Sequence, residues 1–102
     1  MRSLIRLLLT ATLWLPGTVA AEMGSVRGAA LAHTCMTCHG PEGRSHGAIP
    51  SLTTLSSADI TTALQAFRAE TRPSTVMHRI AKGLDDADIT AVATYFATLP
   101  RR

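Results

Sequence analysis

Five consecutive residues, Cys35-Met36-Thr37-Cys38-His39, constrain this chain more than any other segment. Two cysteines separated by two residues and followed at once by histidine have the spacing of covalent haem attachment. Thiols at this spacing can form thioethers with the two vinyl groups on one porphyrin edge, and the next residue is then held beneath the iron. We therefore expect one covalent haem c, attached through Cys35 and Cys38, with His39 as the proximal ligand of the iron.

Two other kinds of site use a similar pair of cysteines. A thiol–disulfide redox site normally lies in a βαβ unit, and no stretch of this chain alternates as a strand. A zinc site needs a second pair of ligands at matching spacing, which the sequence lacks. A disulfide across so short a loop would stabilise the fold only modestly. Haem is the interpretation that the motif favours.

The first stretch of the chain reads as an export signal. Arg2 and Arg6 supply a positive start, residues 7–15 are almost wholly apolar, and Ala20 and Ala21 are small residues suited to cleavage. The apolar run is shorter than the ~20 residues that a membrane span needs. A retained anchor is the alternative. We expect cleavage after Ala21, or one residue earlier.

Removing the signal, residues 1–21, leaves one domain, residues 22–102, which we expect in the periplasm without a membrane span. The formal net charge falls from +3 to +1, because Arg2 and Arg6 leave with the signal. The remainder has neither a basic run nor a row of exposed aromatics, so we expect no nucleic-acid partner. So short a domain is near the lower limit for an independent core, and the haem is expected to fill the interior.

The spacing of apolar residues predicts an all-α fold with substantial loop. A first helix is expected over residues 25–34, running into the cysteines. Residues 40–57 are rich in glycine, proline, serine and threonine, which predicts a long loop. A second helix is expected to begin near Ala58 and to end at residues 71–73, and a short helical turn is expected over residues 76–81.

Capping residues mark two helix starts. Ser56 and Asp59 have the spacing of a capping box before the second helix. Asp85 can cap the last helix, which Pro100 ends. The apolar stripe of that last helix consists of Ile89, Val92, Ala93 and Phe96.

The sixth iron ligand is expected to be Met77. A low-spin electron carrier usually has histidine and methionine as its axial ligands. Met1 would be lost with the signal, Met36 lies between the cysteines and cannot reach the opposite haem face, and Met23 lies near the new N-terminus. Met77 follows the long loop and the second helix, where the chain can return across the far side of the haem. Its neighbour His78 is the competing ligand.

These residues together resemble the class I cytochrome c fold, an all-α fold of helices and long loops around one haem. The resemblance rests on residues 35–40, the segment at Pro50, Met77 and residues 93–97. It implies that the carbonyl oxygen of Pro50 accepts a hydrogen bond from His39. Such a partner orients a ligating imidazole.

The same resemblance implies a crossing of the first and last helices. In that fold a small residue on one helix meets an aromatic residue on the other. Gly28 and Tyr95 match this pair, and Gly24 is a weaker candidate.

A narrower resemblance covers residues 32–100. Residues 67–68, 75–77 and 79–83 are similar to the cytochrome subunit of flavocytochrome c sulfide dehydrogenase, in its single-haem form. This implies that the chain accepts electrons from a flavoprotein (FAD) sulfide dehydrogenase subunit and is not itself the catalytic subunit. The alternatives are a freestanding periplasmic carrier between a dehydrogenase and a terminal oxidase, exchanging electrons with other redox proteins, or a peroxidase or sensor domain.

Two further groups of side chains surround the predicted iron site. The apolar lining of the haem is expected to consist of Leu52, Leu55, Leu64, Phe67, Val76, Ile80 and Phe96. A basic group flanks Met77 in the sequence: Arg68, Arg72, Arg79 and Lys82. These cations form either an ordinary solvated face or a surface that steers an acidic partner or contacts the haem propionates.

Overall fold

The structure is a computed structural model that describes residues 17–101. These residues form four α-helices and one 3₁₀ turn, with no strand among them: α1 (Gly17–His39), the turn (Pro41–Gly43), α2 (Ser57–Arg68), α3 (Met77–Lys82) and α4 (Asp86–Thr98). The predicted all-α fold is confirmed. None of the helices described is both long and apolar enough to cross a membrane.

Helix α1 is longer than the predicted helix over residues 25–34. It starts at Gly17 and passes through both cysteines to end at His39. The sequence-based estimate was too short because glycines within a helix cost about 1 kcal/mol each relative to alanine and look like weak points. Residues 1–16 of the predicted signal lie outside the described residues, and residues 17–21 form the start of α1. The signal and its cleavage remain predictions.

Helix α2 begins at the predicted capping box. The Ser56 hydroxyl accepts the amide proton of Asp59 at 3.1 Å, and the Asp59 carboxylate accepts the amide proton of Ser56 at 2.9 Å. Two of the amide groups left unpaired at a helix start are satisfied in this way.

Helix α2 ends at Arg68, earlier than expected. The amide of Thr71 donates to the carbonyl oxygen of Ala66 at 3.0 Å, and that of Glu70 donates to Phe67 at 3.1 Å. This is the bond pattern of a Schellman motif, which needs a left-handed residue. Glu70 adopts that conformation, with φ of 56°, where glycine is the usual residue. The absence of glycine hid this helix end from sequence reasoning.

The later helices lie close to their predicted positions. Helix α3 is displaced by one residue, because Val76 is its N-cap rather than its first residue. Asp85 caps α4 as expected and forms a full capping box with Asp88. The predicted stripe of α4 is buried and joins residues of the other helices in one core: Ala32, Ile60, Leu64, Ala81, Ile89, Val92, Ala93 and Phe96.

The crossing of α1 and α4 is built around Gly28. A β-carbon on Gly28 would collide with the carbonyl oxygen of Ala91 and lie 3.4 Å from the β-carbon of Tyr95. The expected meeting of Gly28 and Tyr95 is confirmed. Nothing lies within 4 Å of the same position on Gly24, so the close approach belongs to Gly28.

An ion pair holds this crossing beside the glycine. The Arg27 guanidinium donates to the carboxylate of Asp88 and lies 3.6 Å from that of Asp85. Hydrogen bonds from Arg27 and from the Asp85 amide hold the pKa of Asp88 below its ordinary value. The capping box of α4 is therefore fastened to α1.

Candidate haem site

Both cysteines of the attachment motif lie near the end of α1. Since they are three residues apart in a helix, they share one face. Cys35 is half-buried against the core, and Cys38 is exposed. Burial raises the pKa of the Cys35 thiol. A raised pKa disfavours the thiolate form of this side chain.

His39 ends α1 and is buried, with 8% of its surface exposed. Its Nδ1 lies 2.6 Å from the carbonyl oxygen of Pro50. With Nδ1 donating to this carbonyl, Nε2 is the ring nitrogen that can bind a metal. This hydrogen bond is the contact that the resemblance implied, and it fixes both the tautomer and the orientation of the ring.

Two glycines shape the loop that brings Pro50 back to His39. Gly40 and Gly43 have φ angles of 89° and 75°, in the left-handed region that other residues adopt rarely. A β-carbon on Gly43 would lie 2.8 Å from a ring carbon of Phe96. The Gly43 carbonyl accepts the amide proton of Leu52 at 2.7 Å. The loop is thus packed against α4 on one side and bonded to itself near Pro50.

Met77 is the first residue of α3. It is half-buried and packs against the same core as Cys35. By contrast, Met23 has 68% of its surface exposed on α1. The methionine chosen by elimination is therefore one whose side chain reaches the interior.

The predicted apolar lining divides into three groups. Leu64 and Phe96 are buried, whereas Leu52, Leu55 and Phe67 are half-buried against the core. Val76 and Ile80 remain 48% and 44% exposed, on either side of Met77. The apolar surface of these two side chains is therefore available to a group bound beside Met77.

His78 contacts Ser74, a residue that sequence reasoning missed. The Ser74 hydroxyl lies 3.0 Å from Nδ1 of His78 and accepts the backbone amide proton of His78, also at 3.0 Å. The contact could have been predicted from the spacing of Ser74 and His78, because serine hydroxyls often bond backbone amides a few residues away.

Acidic side chains form ion pairs with two of the four cations around Met77. Arg68 pairs with Asp86 at 2.5 Å, and Lys82 pairs with Glu70 at 3.0 Å.

The other two cations differ in their surroundings. Arg72 stacks on the ring of Phe67, 4.8 Å from its centre. Arg79 is exposed beside Val76 and Ile80 on α3 and has no ion pair among residues 17–101. Sequence reasoning counted all four cations alike, because pairs formed across helices cannot be read from a linear chain.

Comparison with known proteins agrees with this geometry. The family model described as Cytochrome c matches residues 25–100. The chain is 42% identical over 76 residues to the cytochrome subunit of sulfide dehydrogenase of Chlorobaculum tepidum, a match that covers 74% of this chain and 69% of that protein.

Two further relatives are more distant. A thiosulfate dehydrogenase electron acceptor of Stutzerimonas stutzeri is 38% identical over 72 residues, which cover 67% of this chain and 33% of that protein. Cytochrome c-554(548) of Halomonas halodenitrificans is 33% identical over 69 residues, which cover 64% of this chain and 83% of that protein. The chain therefore spans about a third of the Stutzerimonas relative and most of the Halomonas one.

Proposed function

The chain belongs to the cytochrome c family, and we propose that it serves as the electron-accepting subunit of a sulfide-oxidising flavoprotein complex. One covalent c-type haem and electron transfer follow from the family together with the two cysteines. The partner, the substrate and the roles of individual residues are the parts that we propose.

The donor set fits a c-type haem. Cys35 and Cys38 would hold it by thioethers, and His39, through Nε2, and Met77 would bind the iron. The observation that carries this assignment is the hydrogen bond from His39 Nδ1 to the Pro50 carbonyl, because it presents Nε2 as the metal-binding nitrogen.

The bound haem supplies reversible one-electron chemistry at its iron. The residues of the chain determine how that chemistry is used. His39 and Met77 would together hold the iron and leave no position for oxygen or peroxide, which would favour electron transfer over catalysis at this centre. Val76 and Ile80 would exclude water beside Met77.

The proposed partner rests on the 42% identity to the cytochrome subunit of the Chlorobaculum sulfide dehydrogenase. On this basis the donor would be a flavoprotein subunit that oxidises sulfide. We place the complex in the periplasm, with residues 1–21 removed by cleavage after Ala21. Mass spectrometry of the mature protein tests the cleavage, since the chain should begin at Glu22.

A freestanding carrier is the second candidate. The match over 83% of cytochrome c-554(548) favours it, since that name includes no partner subunit. Purification from the native cells separates the two candidates. The first requires that a flavin-containing subunit purifies with the cytochrome, and that sulfide reduces the haem faster with this subunit than without it.

A cytochrome that purifies alone, and that sulfide reduces equally fast with or without a flavoprotein, would contradict the proposed partner. The haem assignment would stand, because it rests on the site and not on the partner.

A further inference from the structure

Ser74 makes two hydrogen bonds to one residue. Its hydroxyl oxygen accepts the amide proton of His78 at 3.0 Å and lies 3.0 Å from Nδ1 of the same residue. A hydroxyl has one donor and two acceptor sites, so it can accept the amide proton and donate its own proton to the ring nitrogen. Ser74 and His78 are both half-buried, while Thr75 and Val76 between them are exposed.

These bonds enclose the segment that presents Met77. Helix α3 has only six residues, and its N-cap Val76 makes no capping bond through its side chain. Ser74, two residues before the N-cap, accepts the amide proton of His78 in the first turn. An N-cap side chain normally makes this kind of bond. Met77 lies inside the loop closed by Ser74 and His78.

The next two amides of α3 share one backbone acceptor. The amides of Arg79 and Ile80 share the carbonyl oxygen of Val76 as acceptor, at 3.0 and 3.3 Å. So short a helix has little stability of its own and depends on such contacts. The hydrogen bonds of the Ser74 hydroxyl thus help to hold the first turn of α3, which includes Met77, in position.

We propose that Ser74 and His78 form a side-chain clamp that holds Met77 on the iron and thereby keeps external ligands from the sixth coordination position. Both are positioning residues, because they act through Met77. The proposal rests on the proposed role of Met77 as an axial ligand. In this proposal His78 supports Met77 and does not itself bind the iron.

The test is imidazole binding to the ferric, haem-loaded protein, followed by absorption spectroscopy. Imidazole can bind only when Met77 has left the iron, so its apparent affinity reports how often that occurs. Ser74→Ala removes both hydrogen bonds and should lower the apparent Kd for imidazole about tenfold, which corresponds to about 1.4 kcal/mol. Ser74→Thr keeps the hydroxyl and should stay within about twofold of the wild type.

Ser56→Ala is the matched control. It removes a serine hydroxyl that caps α2 and bonds both a backbone amide and a side chain, but it lies at a different helix. It should lower the thermal midpoint while leaving the imidazole Kd unchanged. An equal gain in affinity in Ser56→Ala and Ser74→Ala, or no gain in Ser74→Ala, would overturn the clamp.

Two further variants complete the design. If Ser74→Ala does not accumulate with haem, His78→Ala removes the ring bond alone and should lower the Kd about threefold; an unchanged Kd there would refute the clamp. Met77→Ala sets the upper limit, because its sixth position no longer has the sulfur. If Met77→Ala and the wild type bind imidazole equally, the ligand assignment itself fails, separately from the clamp.

Discussion

The ring of His39 and the backbone of Pro50 are joined across the loop between them by a 2.6 Å hydrogen bond. The loop can hold this contact because Gly40 and Gly43 take left-handed conformations and proline restricts its own backbone. We expect the Nδ1 proton of His39 to exchange slowly with solvent in the reduced holoprotein.

Pro50→Gly keeps the carbonyl but frees the backbone, and it should speed that exchange about two- to fivefold, in line with the 0.4–1 kcal/mol typical of a lost proline restraint. Proton NMR of the reduced protein measures the rate. Pro41→Gly, in the same loop, should have no such effect. Equal rates in Pro50→Gly and the wild type would argue against the contact.

Met77→Ala should abolish the weak band that iron–sulfur charge transfer gives near the red end of the ferric absorption spectrum. The reduction potential should also fall, because the axial sulfur favours the ferrous state. Met23→Ala removes an exposed methionine and should leave the spectrum unchanged. Persistence of the band in Met77→Ala would show that another residue binds the iron.

Gly28→Ala should destabilise the protein by about 1–3 kcal/mol, the usual cost of overpacking, because its β-carbon would strike the carbonyl of Ala91. Chemical denaturation of the holoprotein measures this. Gly24→Ala has open space around it and should be neutral or stabilising by up to about 1 kcal/mol. Equal destabilisation by both variants would show that α1 and α4 do not approach closely at Gly28.

Asp88 should contribute to stability at neutral pH and lose that contribution in acid. Its pKa is lowered by the hydrogen bond from Arg27 and the amide of Asp85, so folding favours the charged form. This stabilisation is present above the ordinary aspartate pKa of about 3.9 and declines as the pH falls through the lower folded value.

Thermal midpoints across pH, followed by circular dichroism, test this expectation. Asp88→Asn should lower the thermal midpoint at pH 7. The difference in midpoint between this variant and the wild type should become smaller as the pH falls below about 4. A constant difference across that range would refute the expectation.

Association with an acidic partner should depend only moderately on salt, because Asp86 and Glu70 compensate two of the four cations near Met77. Glu70→Gln leaves Lys82 without its partner and should raise the association rate at low salt. Stopped-flow reduction measures this, with Glu22→Gln on α1 as the control. A rate indifferent to both ionic strength and Glu70→Gln would remove steering from consideration.

Local signals predicted much of this molecule. The attachment motif, the capping residues and the apolar stripe of α4 were readable because each involves neighbours in the chain or a helical repeat. Residues such as Ser56, Asp85 and Phe96 therefore lie where the sequence indicated.

The parts that were missed depend on long-range context. Nothing near Arg68 or Lys82 reveals that acidic residues on other segments neutralise them. The end of α2 depends on Glu70, a glutamate in a conformation that glycine usually takes.

The bond between Arg27 and Asp88 spans 61 positions of the chain. The ribosome must therefore synthesise α4 as well as α1 before these two helices can pack together. Until then α1, which carries both cysteines, lacks the helix against which it packs. The pairing of Arg27 with Asp88 therefore belongs to a late stage of folding, after both helices have been synthesised.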